Sequence, residues 1–186
     1  PSTQNPAKIQ YTYDKDGNVL TETSFKNDAI SYVYDDLGRV LNEKLSGVNQ
    51  ISYTYDQNND IGQLSFVDFG SNNSKAYDYD ILGRLRTATT TIENESFVMR
   101  YDYNLDGSLK EVIYPNNKQV SYGFNSIGQI SDVSLATSTL ASNIAYNPLG
   151  QMTHLERANG ASTTYSYDPL QSFRLTELIT AFSTST

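Results

Sequence analysis

At eight regularly spaced places along this chain an aromatic residue is followed at once by Asp or Asn, and in six of those places a glycine stands three residues beyond the Asp or Asn. The clearest unit is Tyr32-Val33-Tyr34-Asp35-Asp36-Leu37-Gly38-Arg39-Val40. Regular copies centre on Tyr13, Asp14 and Gly17, on Tyr79, Asp80 and Gly83, on Tyr103 and Gly107, and on Phe124 and Gly128. Three others are irregular. Tyr55 reaches Gly62 only after three extra residues, the copy with Tyr146 and Gly150 lacks its first tyrosine, and the copy with Tyr167 and Asp168 carries Gln171 in place of glycine. The second aromatic recurs every 21 to 24 residues, and self-similarity at such a spacing is the signature of a repeat array.

Asp or Asn at the first corner and Gly at the fourth describe a type I turn that ends in a left-handed residue. Pro148 and Pro169 fit the second corner, where φ near −65° is wanted and no strand hydrogen bond is lost. The alternation of aromatic and polar residues on both sides has the period of a half-buried strand, so each copy reads as a β-hairpin with a three-residue loop and a glycine bulge. In that register Asp35 faces Arg39, Tyr34 faces Val40, Val33 faces Leu41 and Tyr32 faces Asn42. The register places an apolar residue opposite the second aromatic each time: Val19 to Tyr13, Leu85 to Tyr79, Leu109 to Tyr103, Ile130 to Phe124 and Met152 to Tyr146. Side by side, such pairs form an apolar stripe on one face. The other face carries the weak, solvated pairs Asp35–Arg39, Asp80–Arg84, Asp78–Arg86 and Asp102–Lys110.

Fourteen of the 15 tyrosines occupy the two aromatic motif positions, Tyr114 being the exception, so apolar material is distributed per repeat. Turn residues separate the hairpins at Lys26-Asn27-Asp28, Ser46-Gly47-Val48-Asn49, Gly70-Ser71-Asn72-Asn73, Glu93-Asn94-Glu95, Pro115-Asn116-Asn117 and Asn159-Gly160, with a less regular turn between Ala136 and Ser142. Helix signals are nearly missing. The expected fold is all-β: residues 1–10 as a lead-in, then an array of about eight hairpins over 11–186, or about sixteen strands in a long twisted sheet. A sheet of that length with one greasy face must coil, fold into two layers or lie against further protein. The chain begins without methionine and ends within the strand-like run Leu175 to Ser183, so it reads as a piece of a longer polypeptide.

A net charge of −8 without a basic cluster speaks against nucleic acid, whose binding begins with phosphate neutralisation. No cysteine is present, which excludes disulfides and thiolate metal sites, and no apolar run has the length of a membrane helix. His154 is the only histidine and reads as a strand residue. The motif aspartates serve the turns better than they serve glycoside hydrolysis. Asp14-Lys15-Asp16-Gly17-Asn18 opens like a calcium loop, but Phe25 stands where the bidentate glutamate belongs, so a metal-free turn is expected. No catalytic residue, metal site or cofactor is expected.

The copies Tyr34-Asp35-Asp36-Leu37-Gly38-Arg39-Val40 and Tyr79-Asp80-Ile81-Leu82-Gly83-Arg84-Leu85, with the intervening Tyr114-Pro115-Asn116-Asn117 turn, resemble the YD repeats of the Rhs family over nearly the whole chain. Such repeats occur in bacterial Rhs polymorphic toxins, in cocoon-forming components of insecticidal toxin complexes and in teneurins. The resemblance implies a β-strip that spirals into a hollow shell, a secreted or cell-surface bacterial location, and as partners the remaining repeats and C-terminal region of the parent polypeptide, including an encapsulated toxin. The family's self-cleaving aspartate segment has no counterpart; Asp168-Pro169 lacks the glycine that follows there. The alternative is an extracellular adhesin that binds carbohydrate on open tyrosine rings. It requires exposed rings, whereas pairing with an aliphatic residue in each hairpin favours a packing role.

Overall fold

The computed structural model describes residues 8–24, 26, 28–59 and 61–182. Phe25, which stands where a calcium loop would need its glutamate, and Asn27, expected in a turn, lie outside the described residues, as do Ser183 and most of the lead-in. Among the described residues sixteen strands follow one another, and strand order in the sheet is chain order, each strand antiparallel to its described partners. Among the described residues helix is confined to two single 3-10 turns, Gln57–Asn59 and Pro169–Gln171. The all-β hairpin array expected from the repeats is therefore the fold.

Two compact units divide the chain between Val98 and Met99. The first contains β1 (Gln10–Tyr13), β2 (Val19–Thr23), β3 (Ala29–Tyr34), β4 (Val40–Leu45), β5 (Val48–Tyr55), β6 (Leu64–Asp68), β7 (Ser74–Tyr79) and β8 (Leu85–Ile92). The second contains most of β9 (Glu95–Tyr103), then β10 (Leu109–Ile113), β11 (Gln119–Phe124), β12 (Ile130–Leu135), β13 (Ser138–Tyr146), β14 (Met152–Arg157), β15 (Ala161–Asp168) and β16 (Arg174–Phe182). Some expected turns are shorter than drawn. Val48 already begins β5 after Ser46-Gly47, and Ser138 begins β13 after Ala136-Thr137. Gln10, placed in the lead-in, is the first residue of β1.

Every hairpin pairs the second aromatic with the apolar residue two past the glycine, or with its equivalent. The pairs are Tyr13↔Val19, Tyr34↔Val40, Tyr55↔Leu64, Tyr79↔Leu85, Tyr103↔Leu109, Phe124↔Ile130, Tyr146↔Met152 and Tyr167↔Leu175. One step further from the tip the expected register fails. Val33 pairs with Asn42 instead of Leu41, and Tyr32 with Glu43 instead of Asn42, because Leu41 is an extra residue on β4. The same slip leaves out Leu20, Ser65, Arg86, Lys110, Ser131, Thr153 and Thr176 in the other hairpins. Such a bulge bends the strand and increases its local twist, and here it recurs once per repeat. The residues it displaces at 86 and 110 still pair with Asp78 (2.7 Å) and Asp102 (2.9 Å).

Little of the described chain is sealed from water. The buried apolar residues are Val67, Val112 and Ala161, accompanied by Ser65 and Thr163, whose hydroxyls are satisfied by the Gln57 amide and by Arg157 and Thr180. Most tyrosines are half-buried, and Tyr13 is 58% exposed, so the stripe expected on one face is a partly covered surface and not a core.

Candidate functional site: hairpin tips and tyrosine clasps

The feature that recurs is a tip, so the site is built there. In the second hairpin the Asp35 amide donates to the Arg39 carbonyl (2.9 Å) and the Gly38 amide to the Asp35 carbonyl (3.0 Å). Gly38 sits at φ 76°, the left-handed region that closes a type I turn into a glycine bulge. That geometry leaves main-chain N–H groups inside the loop without a ladder partner. The corner side chain takes two of them: Asp35 Oδ1 accepts from Leu37 N (3.0 Å) and Arg39 N (2.9 Å). Asp14, Asp80, Asn125 and Asn147 repeat the arrangement. This is the reason the corner is Asp or Asn, whose short side chains reach their own backbone two residues on.

The corner residue also pairs with the residue after the glycine, and the chemistry matches each time. Corner aspartates accept from Asn18 Nδ2 (2.9 Å), Arg39 Nε (2.7 Å) and Arg84 Nε (2.7 Å). Corner asparagines donate instead, to Ser108 Oγ (2.8 Å), Gln129 Oε1 (3.0 Å) and Gln151 Oε1 (2.8 Å). The post-glycine side chains of Arg39, Gln63 and Gln151 reach on to the next tip. Gln63 Nε2 donates to the Gly83 carbonyl (3.5 Å) and Gln151 Nε2 to the Phe173 carbonyl (3.0 Å). Arg39 goes furthest: its guanidinium grips Asp56 through two hydrogen bonds (2.6 and 3.1 Å) and lies 4.4 Å from the centre of the Tyr55 ring. Asp56 is held below the usual carboxylate range chiefly by Arg39, and Asp35 chiefly by the Arg39 backbone amide. The Arg39 guanidinium is raised in turn by Asp56 and then Asp35.

The second tyrosine has a role the sequence reading missed. The inter-hairpin ladders β2–β3, β4–β5, β6–β7, β10–β11, β12–β13 and β14–β15 stop short of the tip; between β4 and β5, for example, the ladder reaches Asn42↔Ser52 and leaves Val40 beyond its end. There the tyrosine hydroxyl of the following repeat donates to the orphan carbonyl. Tyr34 bonds Val19 O (2.8 Å), Tyr55 bonds Val40 O (3.1 Å), Tyr79 bonds Leu64 O (2.8 Å), Tyr146 bonds Ile130 O (3.0 Å) and Tyr167 bonds Met152 O (2.8 Å). The acceptor is the residue paired with the previous repeat's aromatic. One phenol therefore packs within its own hairpin and clasps the hairpin before it. Phe124 has no hydroxyl and cannot make the bond to Leu109. The signal was legible as a preference for Tyr over Phe at this position, but the acceptor, a backbone atom some fifteen residues upstream, was not.

The irregular copies differ as their sequences do. In the third tip the Gly62 amide donates to Asp56 Oδ1 (2.6 Å) and the Asp56 amide to the Gln63 carbonyl (3.0 Å), so a longer loop closes on the same corner. In the last, Gln171 does not take the left-handed conformation; Ser172 (φ 57°) and Phe173 (φ 54°) do, and the Phe173 amide closes on the Asp168 carbonyl (2.9 Å). The tight pattern ends there, as the missing glycine suggests. His154 faces Ala145 and Thr164 and lies 3.5 Å from Glu156. Among the described residues no group of three His, Cys, Asp or Glu side chains is placed to hold a metal, and no helix is long and apolar enough to cross a membrane.

Hairpins laid edge to edge, tied at their tips and almost coreless, define a β-hairpin repeat protein of the wall-forming kind. Residues 25–142, more than half of the chain, match the family model described as the teneurin YD-shell, and the chain belongs to that family. It is a structural YD-shell segment. No curated protein matches it. Among solved structures it is similar to a chain in the Tc holotoxin pore of Photorhabdus luminescens bearing a TccC3 mutation (TM-score 0.79, 13% identity, 94% of this chain and 10% of that one). It is similar also to a chain in a TcdB2-TccC3-TEV crystal structure (TM-score 0.77, 14% identity, 94% and 10%) and to one in TcdB2-TccC3 (TM-score 0.68, 14% identity, 97% and 12%). The chain thus spans about a tenth of the length of the solved chains it matches.

Proposed function

We propose that residues 11–186 are one stretch of a longer YD shell, a non-enzymatic wall that encloses or supports another part of the same polypeptide, such as a toxin domain. The observation that carries this reading is the combination of strong ties between hairpins with almost no buried core, which suits a wall whose faces are completed by something else. Family membership and the small share of the matched chains that this chain covers support it. On this reading the motif positions, from Tyr13, Asp14 and Gly17 to Tyr167 and Asp168, are structural: corners, turn closures and clasps. The wall works outside the cell, secreted or on a bacterial surface. The carbohydrate-binding alternative, which needs open rings, gains nothing from the geometry: every motif tyrosine after Tyr13 is half-buried, and five have their hydroxyls committed to backbone carbonyls.

Electron cryomicroscopy of the polypeptide that carries this stretch tests the proposal. It expects residues 11–186 to line a closed cavity that holds another segment of the same chain. An open sheet with both faces in solvent would contradict it.

A further inference from the structure

The third hairpin departs from the repeat twice, and both departures meet in one cavity. Its tip has three extra residues between Asp56 and Gly62, and the added length winds into the 3-10 turn Gln57–Asn59. Two non-glycine residues there sit in the left-handed region, Asp56 (φ 61°) and Asn58 (φ 55°), and strain of that kind concentrates at ligand clamps. The loop is pinned over the following strand, where the Gln57 main-chain amide donates to the Oγ of buried Ser65 (3.0 Å). The second departure is Phe66. It stands two residues beyond the partner of its motif aromatic, a place that the other hairpins give to Thr21, Asn42, Thr87, Glu111, Asp132, His154 and Glu177. All seven are polar, as a solvated sheet face requires, whereas Phe66 puts an aromatic ring on that face, 37% exposed.

Register explains the space beside the ring. Thr54, Phe66, Ala76 and Thr89 are direct cross-strand partners in one row, and Asp78 with Thr87 forms the next. Ala76 is too short to cover the ring, and a cavity of about 320 Å³ opens there, bounded by the tip loop on one side and by β8 on the other. Strand β6 is paired on both sides, to β5 and to β7, so the opening does not arise at an end of the sheet. Its floor, Phe66 and Ala76, is apolar. Polar groups flank that floor: Gln57 and Asn58 from the loop, Thr87 and Thr89 from β8. Among the described residues the Asn58 side-chain amide and Gln57 Oε1 have no hydrogen-bond partner. The one carboxylate in the lining, Asp78, is held by Arg86 (2.7 Å), so its charge is balanced.

We propose that this cavity is a seat for an extended peptide, with one apolar side chain on Phe66 and Ala76 and the neighbouring peptide group hydrogen-bonded by the Gln57 and Asn58 side chains. A volume of about 320 Å³ is at the small end of ligand clefts, room for one residue of a chain passing over the sheet. A primary amide offers a donor and an acceptor together, the complement of a peptide N–H and C=O. The balance of Asp78 by Arg86 suits an uncharged ligand. A sugar ring is the rival occupant; two side-chain amides beside an apolar floor match a peptide group and its side chain more closely. That the peptide belongs to the polypeptide of the wall rests on the enclosing role proposed above, whereas the seat itself does not.

N-acetyl-leucine amide, titrated into the isotope-labelled full chain and followed by nuclear magnetic resonance, tests the seat. Saturable shifts are expected at Phe66, Ala76 and Thr89 and at the side-chain amides of Gln57 and Asn58, with a Kd of about 1 to 10 mM, the range for a ligand of that size. Phe66→Thr, which installs the residue that the first hairpin has at this place, should weaken binding at least tenfold. Asn58→Gly removes one amide and should weaken binding about threefold with the urea midpoint unchanged, since relief of the left-handed strain offsets the extra freedom of glycine in the unfolded chain. No saturable shift up to about 50 mM, or binding that survives Phe66→Thr, would overturn the seat and leave the enclosing role standing. Tighter binding of methyl β-glucoside than of the amide would overturn the peptide assignment. Binding of the amide, with no enclosed segment found in the parent polypeptide, would support the seat and end the enclosing role.

Discussion

The seam between the second and third hairpins and the seam between the fifth and sixth have the same register but different ties. In the first, Tyr55 clasps Val40, Tyr53 donates to Glu43 (2.6 Å), and Arg39 spans Asp35 and Asp56 under the Tyr55 ring. In the second, Phe124 has no hydroxyl, and the ladder Glu111↔Ser121, Val112↔Val120, Ile113↔Gln119 is accompanied by a Gln119–Glu111 hydrogen bond and by Val112, one of the few buried side chains. The backbone ladder and the recurrent bulge therefore set register, while side chains decide how firmly the tip end of each seam is shut. A repeat can exchange a polar clasp for apolar burial and keep its place in the array.

The largest test of that comparison removes the clasps from the first unit together. Tyr34→Phe, Tyr55→Phe and Tyr79→Phe should each cost about 1 kcal/mol, the usual net worth of a hydrogen bond whose carbonyl is otherwise left unsatisfied. Combined, they should lower stability in urea by about 3 kcal/mol, near additivity because each serves a different seam. Tyr55→Phe alone sharpens the contrast, with a loss of about 1 kcal/mol and faster exchange at the tip ends of β4 and β5. The converse change, Phe124→Tyr, should gain about 0.5 to 1 kcal/mol by supplying the missing donor to Leu109, and a stability loss would show that the sixth hairpin is packed for phenylalanine.

The smallest effects lie in pH. Asp35 and Asp56 have folded pKa values below their unfolded ones, so their contribution is complete above the ordinary carboxylate range and disappears as pH falls through the depressed values. Arg39→Gln should flatten this part of the acid unfolding curve, measured by tyrosine fluorescence. At the alkaline end the Tyr53 phenol is pushed up to about 12, first by its hydrogen bond to Glu43 and then by burial. Its contribution is complete below the ordinary phenol value and is lost as pH rises through about 12. Tyr53→Phe should remove one late step from the ultraviolet phenol titration.

How far the sequence goes can be judged residue by residue. The pairing of Tyr34 with Val40, the ion pair of Asp35 with Arg39 and the break at Gln171 follow from turn chemistry, which is local and therefore legible. The bulge at Leu41 was not, because it satisfies no side-chain rule; it adjusts the bend and twist of β4, and an alternation of two gives no sign of one extra residue. The clasps were half legible. Tyrosine in place of phenylalanine announces a hydroxyl with a task, but its acceptor is a main-chain carbonyl that only the end of the inter-hairpin ladder exposes. The post-glycine residues Asn18, Arg39, Gln63, Arg84, Ser108, Gln129 and Gln151 are all polar, a regularity that points to the tip contacts they make.

The central claim is that each hairpin is held by its own turn and its two seams, so that damage stays local. Residue-resolved amide exchange on Gly83→Val tests it most directly. Gly83 lies at φ 75°, and a side chain there would also stand 3.2 Å from Gln63 Nε2, so valine should cost about 1 to 2 kcal/mol at that tip. The account predicts faster exchange from about Tyr53 to Leu109 and unchanged protection around Tyr146 and Met152. Equal loosening of all eight hairpins would contradict it.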